Sequence, residues 1–213
     1  MLKQRGVVLF FALIALVAMS LAAVALIRSV DTSTLIAGNL AFKQATKNSA
    51  EAGVEAAIAW LDNANAQNGA LNVYMNPDHP FNRTGGFVTA FGSFQNNGYY
   101  SYADPNLSLT DSSAASHLNW DDNDSTLVGT DGSGNTTRYV IQRMCRDANV
   151  EIANNNCLFS DIPTNNNNMV IPLPQNYCKG PGCPPAAQPP QIRITARSEG
   201  PKNTVSYVQA FVF

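Results

Sequence analysis

The chain has 213 residues, a formal net charge of −2, 45% hydrophobic residues and 13% charged residues. The length fits one domain with an appendage, and 13 Lys+Arg against 15 Asp+Glu exclude a nucleic-acid binder that works through a basic surface. An acidic disordered tail is excluded as well, since net charge is low and aromatics are present; much of the apolar content sits in the first 30 residues.

Val7–Ile27 is a run of 21 residues without a charge. As a helix it measures roughly 31 Å, about the thickness of a bilayer's hydrocarbon core. Lys3 and Arg5 precede it and Arg28 closes it, which holds the stub in the cytoplasm and exports everything after Arg28. Three readings compete: a secretory signal cut near Ala23-Val24-Ala25, a plain single-span anchor, and a leader removed ahead of an apolar run that is kept. Gly6, standing between the stub and the run, favours the third reading, because a secretory signal does not require it.

Helical patterning continues past Arg28, and no proline occurs between Met1 and Trp60. Leu35, Asn39, Phe42, Thr46, Ser49, Gly53, Ala56 and Trp60 recur at spacings of three and four, with Val54, Ile58 and Leu61 as a second stripe. Gly38 and Gly53 weaken the pattern by about 1 kcal/mol each relative to Ala. The expectation is one helix of about 55 residues, or ~80 Å. Its residues 7–27 are apolar all round, and residues 28–62 form an amphipathic half that covers a head domain.

Residues 63–213 form that head. Short aromatic or β-branched pieces alternate with turn dipeptides such as Asn76-Pro77, Gly85-Gly86 and Asn97-Gly98, which predicts short strands and long loops. Thr126–Thr130 reads as a strand, Asp131-Gly132-Ser133-Gly134-Asn135 as a turn and Thr136–Met144 as its return. Ile192, Ile194 and Ala196 alternate with Arg193, Thr195 and Arg197, one buried face against one wet face. Residues 199–203 turn the chain, and Thr204–Val212 returns with Val208, Ala210 and Val212 on one side. The predicted class is α+β, an antiparallel sheet of about four strands under the long helix.

Four cysteines, Cys145, Cys157, Cys178 and Cys183, lie beyond the apolar run, where export favours disulfides. Three connectivities are open; Cys145–Cys157 with Cys178–Cys183 is preferred because each pair closes a short loop of turn-forming residues. Their spacings match no common zinc finger. His79 and His117 lack metal-ligand spacing, and Glu51 and Glu55 read as solvated helix-face charges rather than an acid/base pair. The cluster Asp121-Asp122-Asn123-Asp124 departs from a calcium loop, with Leu127 where Gly is needed and Ser133 where Glu is needed. No nucleophile elbow, phosphate loop or zincin motif is present, so neither an enzyme nor a cofactor or metal is expected.

Leu2–Gly6 with Val7–Ser29, then AGNLAFKQ at 37–44 and AGVEAA at 52–57, resemble the amino-terminal region of PilX-type minor pilins. The closing segment Gln191–Val212 resembles the final hairpin of that family, and the middle shows no likeness. The resemblance implies a pilin-like fold, with prepilin peptidase cutting after Gly6 and methylation of the new amino group on Val7. It implies a bacterial inner-membrane protein with a periplasmic head that later becomes part of an extracellular pilus. The implied partners are other minor and major pilins, prepilin peptidase and a tip adhesin. Major pilins carry glutamate at the fifth mature position, where this chain has Phe11. Without that carboxylate a place in the repeating shaft is disfavoured, and an initiating or terminal place is favoured. Two other functions share these features: an adhesin or docking module, with Tyr and Phe of residues 87–102 as its contact patch, and a pseudopilin of a type II secretion system.

Overall fold

The computed structural model describes residues 7–68, 79–83, 88–89, 92–93, 98–111, 113–114, 116–152, 156–159 and 190–212. With no proline to interrupt it, the amino-terminal pattern gives one helix, α1 (Val7–Asn68), of 62 residues. The chain divides into two units, residues 1–44 and 45–213, described in turn.

In the first unit every side chain from Val7 to Ala37 is exposed. Ser20 interrupts the apolar run, and its hydroxyl donates to the Leu16 carbonyl at 2.8 Å. Thr32, Ser33 and Thr34 bond the same way to the carbonyls of Arg28, Ser29 and Val30. Such back-bonding leaves those hydroxyls satisfied without water.

In the second unit the α1 turns after Ala45 lie on a five-stranded sheet. Its strands are β3 (Tyr99–Tyr100), β4 (Thr126–Thr130), β5 (Thr136–Arg143), β6 (Ile192–Gly200) and β7 (Thr204–Val212). A separate antiparallel pair joins β1 (Val88–Thr89) to β2 (Gly92–Ser93). β5, β6 and β7 run antiparallel in sequence, with Tyr139 opposite Ala196 and Ala196 opposite Val208. The sheet is mixed, not wholly antiparallel as expected. β4 begins opposite Tyr139, and the remaining edge of β5 is taken by β3 running parallel, Tyr99 against Ile141. Gly98 sits at this junction, where an added Cβ would lie 2.7 Å from the Tyr139 carbonyl oxygen and 2.9 Å from the Thr126 nitrogen. Only glycine lets the two strands meet so closely.

The core lies between α1 and one sheet face. Ala50, Val54, Ala57 and Leu61 pack against Tyr99, Tyr139, Ile141, Ile194 and Ala196. The buried stripe runs Thr46, Ala50, Gly53/Val54, Ala57, Leu61, Ala64, so it falls between the two predicted stripes. Leu35 and Asn39 are exposed, and Ala56, Ile58 and Trp60 flank the stripe half-buried. Small residues lie at its centre because the helix sits close to the sheet: a Cβ on Gly53 would be 2.6 Å from Thr137 Cγ2.

Polar bonds fix the two ends of this contact. At the first, Thr46 and Ser206 hydroxyls are 2.8 Å apart, and Ser49 donates to Asp131 at 2.5 Å. Asn135 donates to both Ser49 and Asp131. The Ser49 hydroxyl, followed by the Asn135 side chain and backbone, holds the Asp131 carboxyl well below the usual carboxylate range. At the other end Trp60, Phe81 and Tyr99 cluster with ring centroids 5.4–6.3 Å apart, and the buried Arg143 donates to the Phe81 carbonyl.

β5 is buried on both faces, since Val140 and Gln142 are as enclosed as Tyr139 and Ile141. Thr195, expected on the wet face, is also buried and accepts from Gln209 at 3.0 Å. Beyond β5, Cys145 and Cys157 form a disulfide and a backbone bridge, packed with Ile152 and Phe159. Cys178 and Cys183 lie outside the described residues.

Candidate assembly surface

The leading candidate for function is the apolar stretch of α1. Among the described residues it is the one helix long and apolar enough to cross a membrane, with a mean hydropathy of 2.9 over its most apolar window. Val7 opens it at 49% exposure, and Phe11 is 65% exposed. Ala12, Ala15, Ala18 and Ala22 share one side of it by helical spacing, a strip of small residues of the kind that lets helix backbones pack closely. Gly6, the predicted cleavage position, lies outside the described residues.

Elsewhere the side chains singled out from sequence have structural employment. Glu51 pairs with Lys47 at 3.4 Å on the exposed side of α1. Asp121 accepts the backbone N–H groups of Asn123 and Asp124, Asp122 is ion-paired to Arg138 at 2.5 Å, and Asp124 accepts the Asn119 N–H. This cluster is a turn with occupied carboxylates. Among the described residues no three His, Cys, Asp or Glu side chains converge as a metal site. The contact patch placed at residues 87–102 loses Tyr99, which is fully buried with its hydroxyl donating to the Phe81 carbonyl. Tyr100 is half-buried and donates to the Asp124 carbonyl.

His79 is 2% exposed, caps the short 3-10 turn Pro80–Asn82 by accepting the Phe81 N–H through Nδ1 at 3.1 Å, and stacks on Phe81. Burial first, and the nearby Arg143 charge second, lower its pKa to about 4. The folded value lies below the unfolded one, so the unfolded chain takes up the proton first as pH falls. Stability is therefore lost between about pH 6.5 and 4 and levels off below that range. In urea unfolding, the wild type is expected to lose about 1–2 kcal/mol between pH 7.5 and 5 from this group. His79→Gln should lack that part of the pH slope; an equal slope in both proteins would refute the assignment.

Two features of the head carry no sequence signal that names a role. One is Arg143, a charged residue in a strand that shows no exposed face. The other is the outer edge of β7, whose nine residues TVSYVQAFV contain no charge and no proline. Among the described residues β6 is the one strand that pairs with β7. Val205, Tyr207, Gln209 and Phe211 alternate outward along it. No protein-family model, curated protein or solved structure matches the chain.

Proposed function

We propose that this chain is a minor pilin of a type IV pilus, a structural protein that initiates or enters pilus assembly at or near the tip. The observation that carries the proposal is α1 itself. It is a single 62-residue helix whose first 21 residues are uncharged and exposed, and whose turns after Ala45 cover a sheet. A soluble domain gains nothing from such a helix, whereas a filament subunit uses it twice. The apolar part resides first in the bilayer and then among the helices of other pilins. That transfer costs little, since both surroundings are apolar, and close packing at Ala12, Ala15, Ala18 and Ala22 decides association. The resemblance of residues 2–29 to PilX-type minor pilins supplies the order of events: orientation by Lys3 and Arg5, cleavage after Gly6, then release into the pilus.

Mass spectrometry of the mature amino terminus tests the reading. The expected result is a chain beginning at a methylated Val7, with Gly6→Leu retaining the full precursor mass. A mature chain starting near Leu26, or normal processing of Gly6→Leu, would rule it out.

A docking role for a larger tip adhesin is the second reading, favoured by β7. Proteins usually blunt a long edge with charge, proline or a cover, and this edge has none of these among the described residues. An extended segment of the adhesin would add to it as a further strand. Phe211→Lys should then abolish co-purification of the adhesin with the full-length chain. Undiminished capture would exclude this mode of docking.

A further inference from the structure

The sheet face opposite α1 carries a second feature. Arg197 and Glu199 of β6, with Val205 and Tyr207 of β7, contribute to an open cleft of about 700 Å³ that is also lined by residues 108–111 and 117–121. That segment is tied into a defined shape: Leu118 N–H donates to the Ser108 carbonyl at 2.9 Å, and Ser108 N–H to the Ser116 carbonyl at 3.0 Å. Trp120 Nε1 donates to the Leu109 carbonyl at 3.0 Å, which fixes the indole. Its ring stands 5.9 Å from that of Tyr207 at an interplanar angle of 59°, an angled aromatic corner.

Polar groups of both kinds surround that corner. The Tyr207 hydroxyl and the Asn119 side-chain amide have no hydrogen-bond partner among the described residues. Arg197 uses Nη2 on Glu199 at 2.8 Å, while its Nε is buried without a partner. Asp121 turns Oδ1 to its own loop. An anion is best held by donors alone and a cation by acceptors alone. A sugar hydroxyl donates and accepts at once, so it suits a lining that offers both. The negative face of an aromatic ring also attracts the partly positive C–H face of a pyranose. The volume lies in the range of small-molecule sites.

We propose that this cleft binds a saccharide, with a sugar ring against Trp120 and Tyr207 and its hydroxyls on Arg197, Glu199 and Asn119. The inference does not depend on the pilin reading, since the cleft is built within residues 45–213 alone.

The test uses the full-length chain in a zwitterionic detergent that has no sugar headgroup. Oligosaccharides ending in galactose, N-acetylglucosamine, mannose or fucose are titrated by calorimetry, beside inorganic phosphate and a basic peptide. At least one oligosaccharide should bind saturably and perturb Trp120 emission in a Trp60→Phe background. Tyr207→Ala and the isosteric Glu199→Gln should each weaken it at least tenfold, and Leu127→Ala on β4, outside the cleft, should not. The two variants keep the test decisive if one of them misfolds. Absence of saturable binding by every oligosaccharide, binding of phosphate or peptide alone, or affinity unchanged in the folded variants would overturn the proposal.

Discussion

Arg143→Met is expected to destabilise the head by about 4 kcal/mol, the sum of several buried acceptors losing their donor at about 1–3 kcal/mol each. The guanidinium is 1% exposed. Its Nε donates to the Ser101 carbonyl at 2.9 Å, Nη1 to the Phe81 carbonyl at 2.7 Å and to Asn82 Oδ1, and Nη2 to the Val150 carbonyl at 2.6 Å. Three chain segments are thus tied to β5 by one planar group, a task that lysine, with a single compact ammonium, cannot repeat. Methionine keeps the stem and removes every donor. The Phe81 carbonyl keeps the Tyr99 hydroxyl at 2.7 Å. The control is Lys47→Met, which breaks only the exposed pair with Glu51 and should cost about 0.5 kcal/mol or less. Urea unfolding of the oxidised protein in detergent measures both. A cost for Arg143→Met near that of the control would show that water replaces the guanidinium, and the account of this end of the head would fail.

The same residue marks where sequence reasoning stops. The sequence reading of Thr136–Met144 as a strand assigns Arg143 no place, although charged residues are mostly exposed. The acceptors that hold Arg143 come from a 3-10 turn, from the residue after β3 and from the loop after Cys145, and no periodicity encodes their meeting. The parallel placement of β3 is illegible for a related reason: two residues, Tyr99 and Tyr100, find their partners Ile141 and Gln142 far along the chain. Strands joined by a turn are legible. The alternation of Ile192, Ile194 and Ala196 with that of Val208, Ala210 and Val212 gives both the β6–β7 pairing and the face that meets α1. For α1, length follows from the uncharged run and the missing proline, but its buried face does not. Alanine carries little apolar signal, so periodicity weights Leu35, Phe42 and Trp60 above Ala50, Ala57 and Ala64, which are the residues that meet the sheet side. The position of the apolar stretch of α1 is thus readable as composition. The aromatic corner of Trp120 and Tyr207 is not, because it joins a loop to a strand far apart in sequence.

Substitutions at the two helix glycines are expected to act with opposite signs. At Gly38 an added Cβ would have nothing within 4 Å, so Gly38→Ala should stabilise the purified chain by up to about 1 kcal/mol through helix propensity. Gly53 gains the same propensity, yet its Cβ would lie 2.6 Å from Thr137 Cγ2 and 3.0 Å from Ala196 Cβ. Neither neighbour yields cheaply. The Thr137 rotamer is held by bonds from its hydroxyl to the Ser49 carbonyl and to Ser198, and Ala196 has no rotamer to change. The methyl must therefore push α1 from the sheet, at an overpacking cost of about 1–3 kcal/mol that exceeds the propensity gain. Gly53→Ala should lose about 1 kcal/mol net. Gly53→Leu should lose more, about 3 kcal/mol, because the larger side chain also separates Val54 and Ala57 from Ile194. Thermal unfolding of the three variants decides it. If Gly53→Ala proved as stabilising as Gly38→Ala, helix and sheet would be further apart than described, and small residues would not be setting the contact that ties this helix to its head.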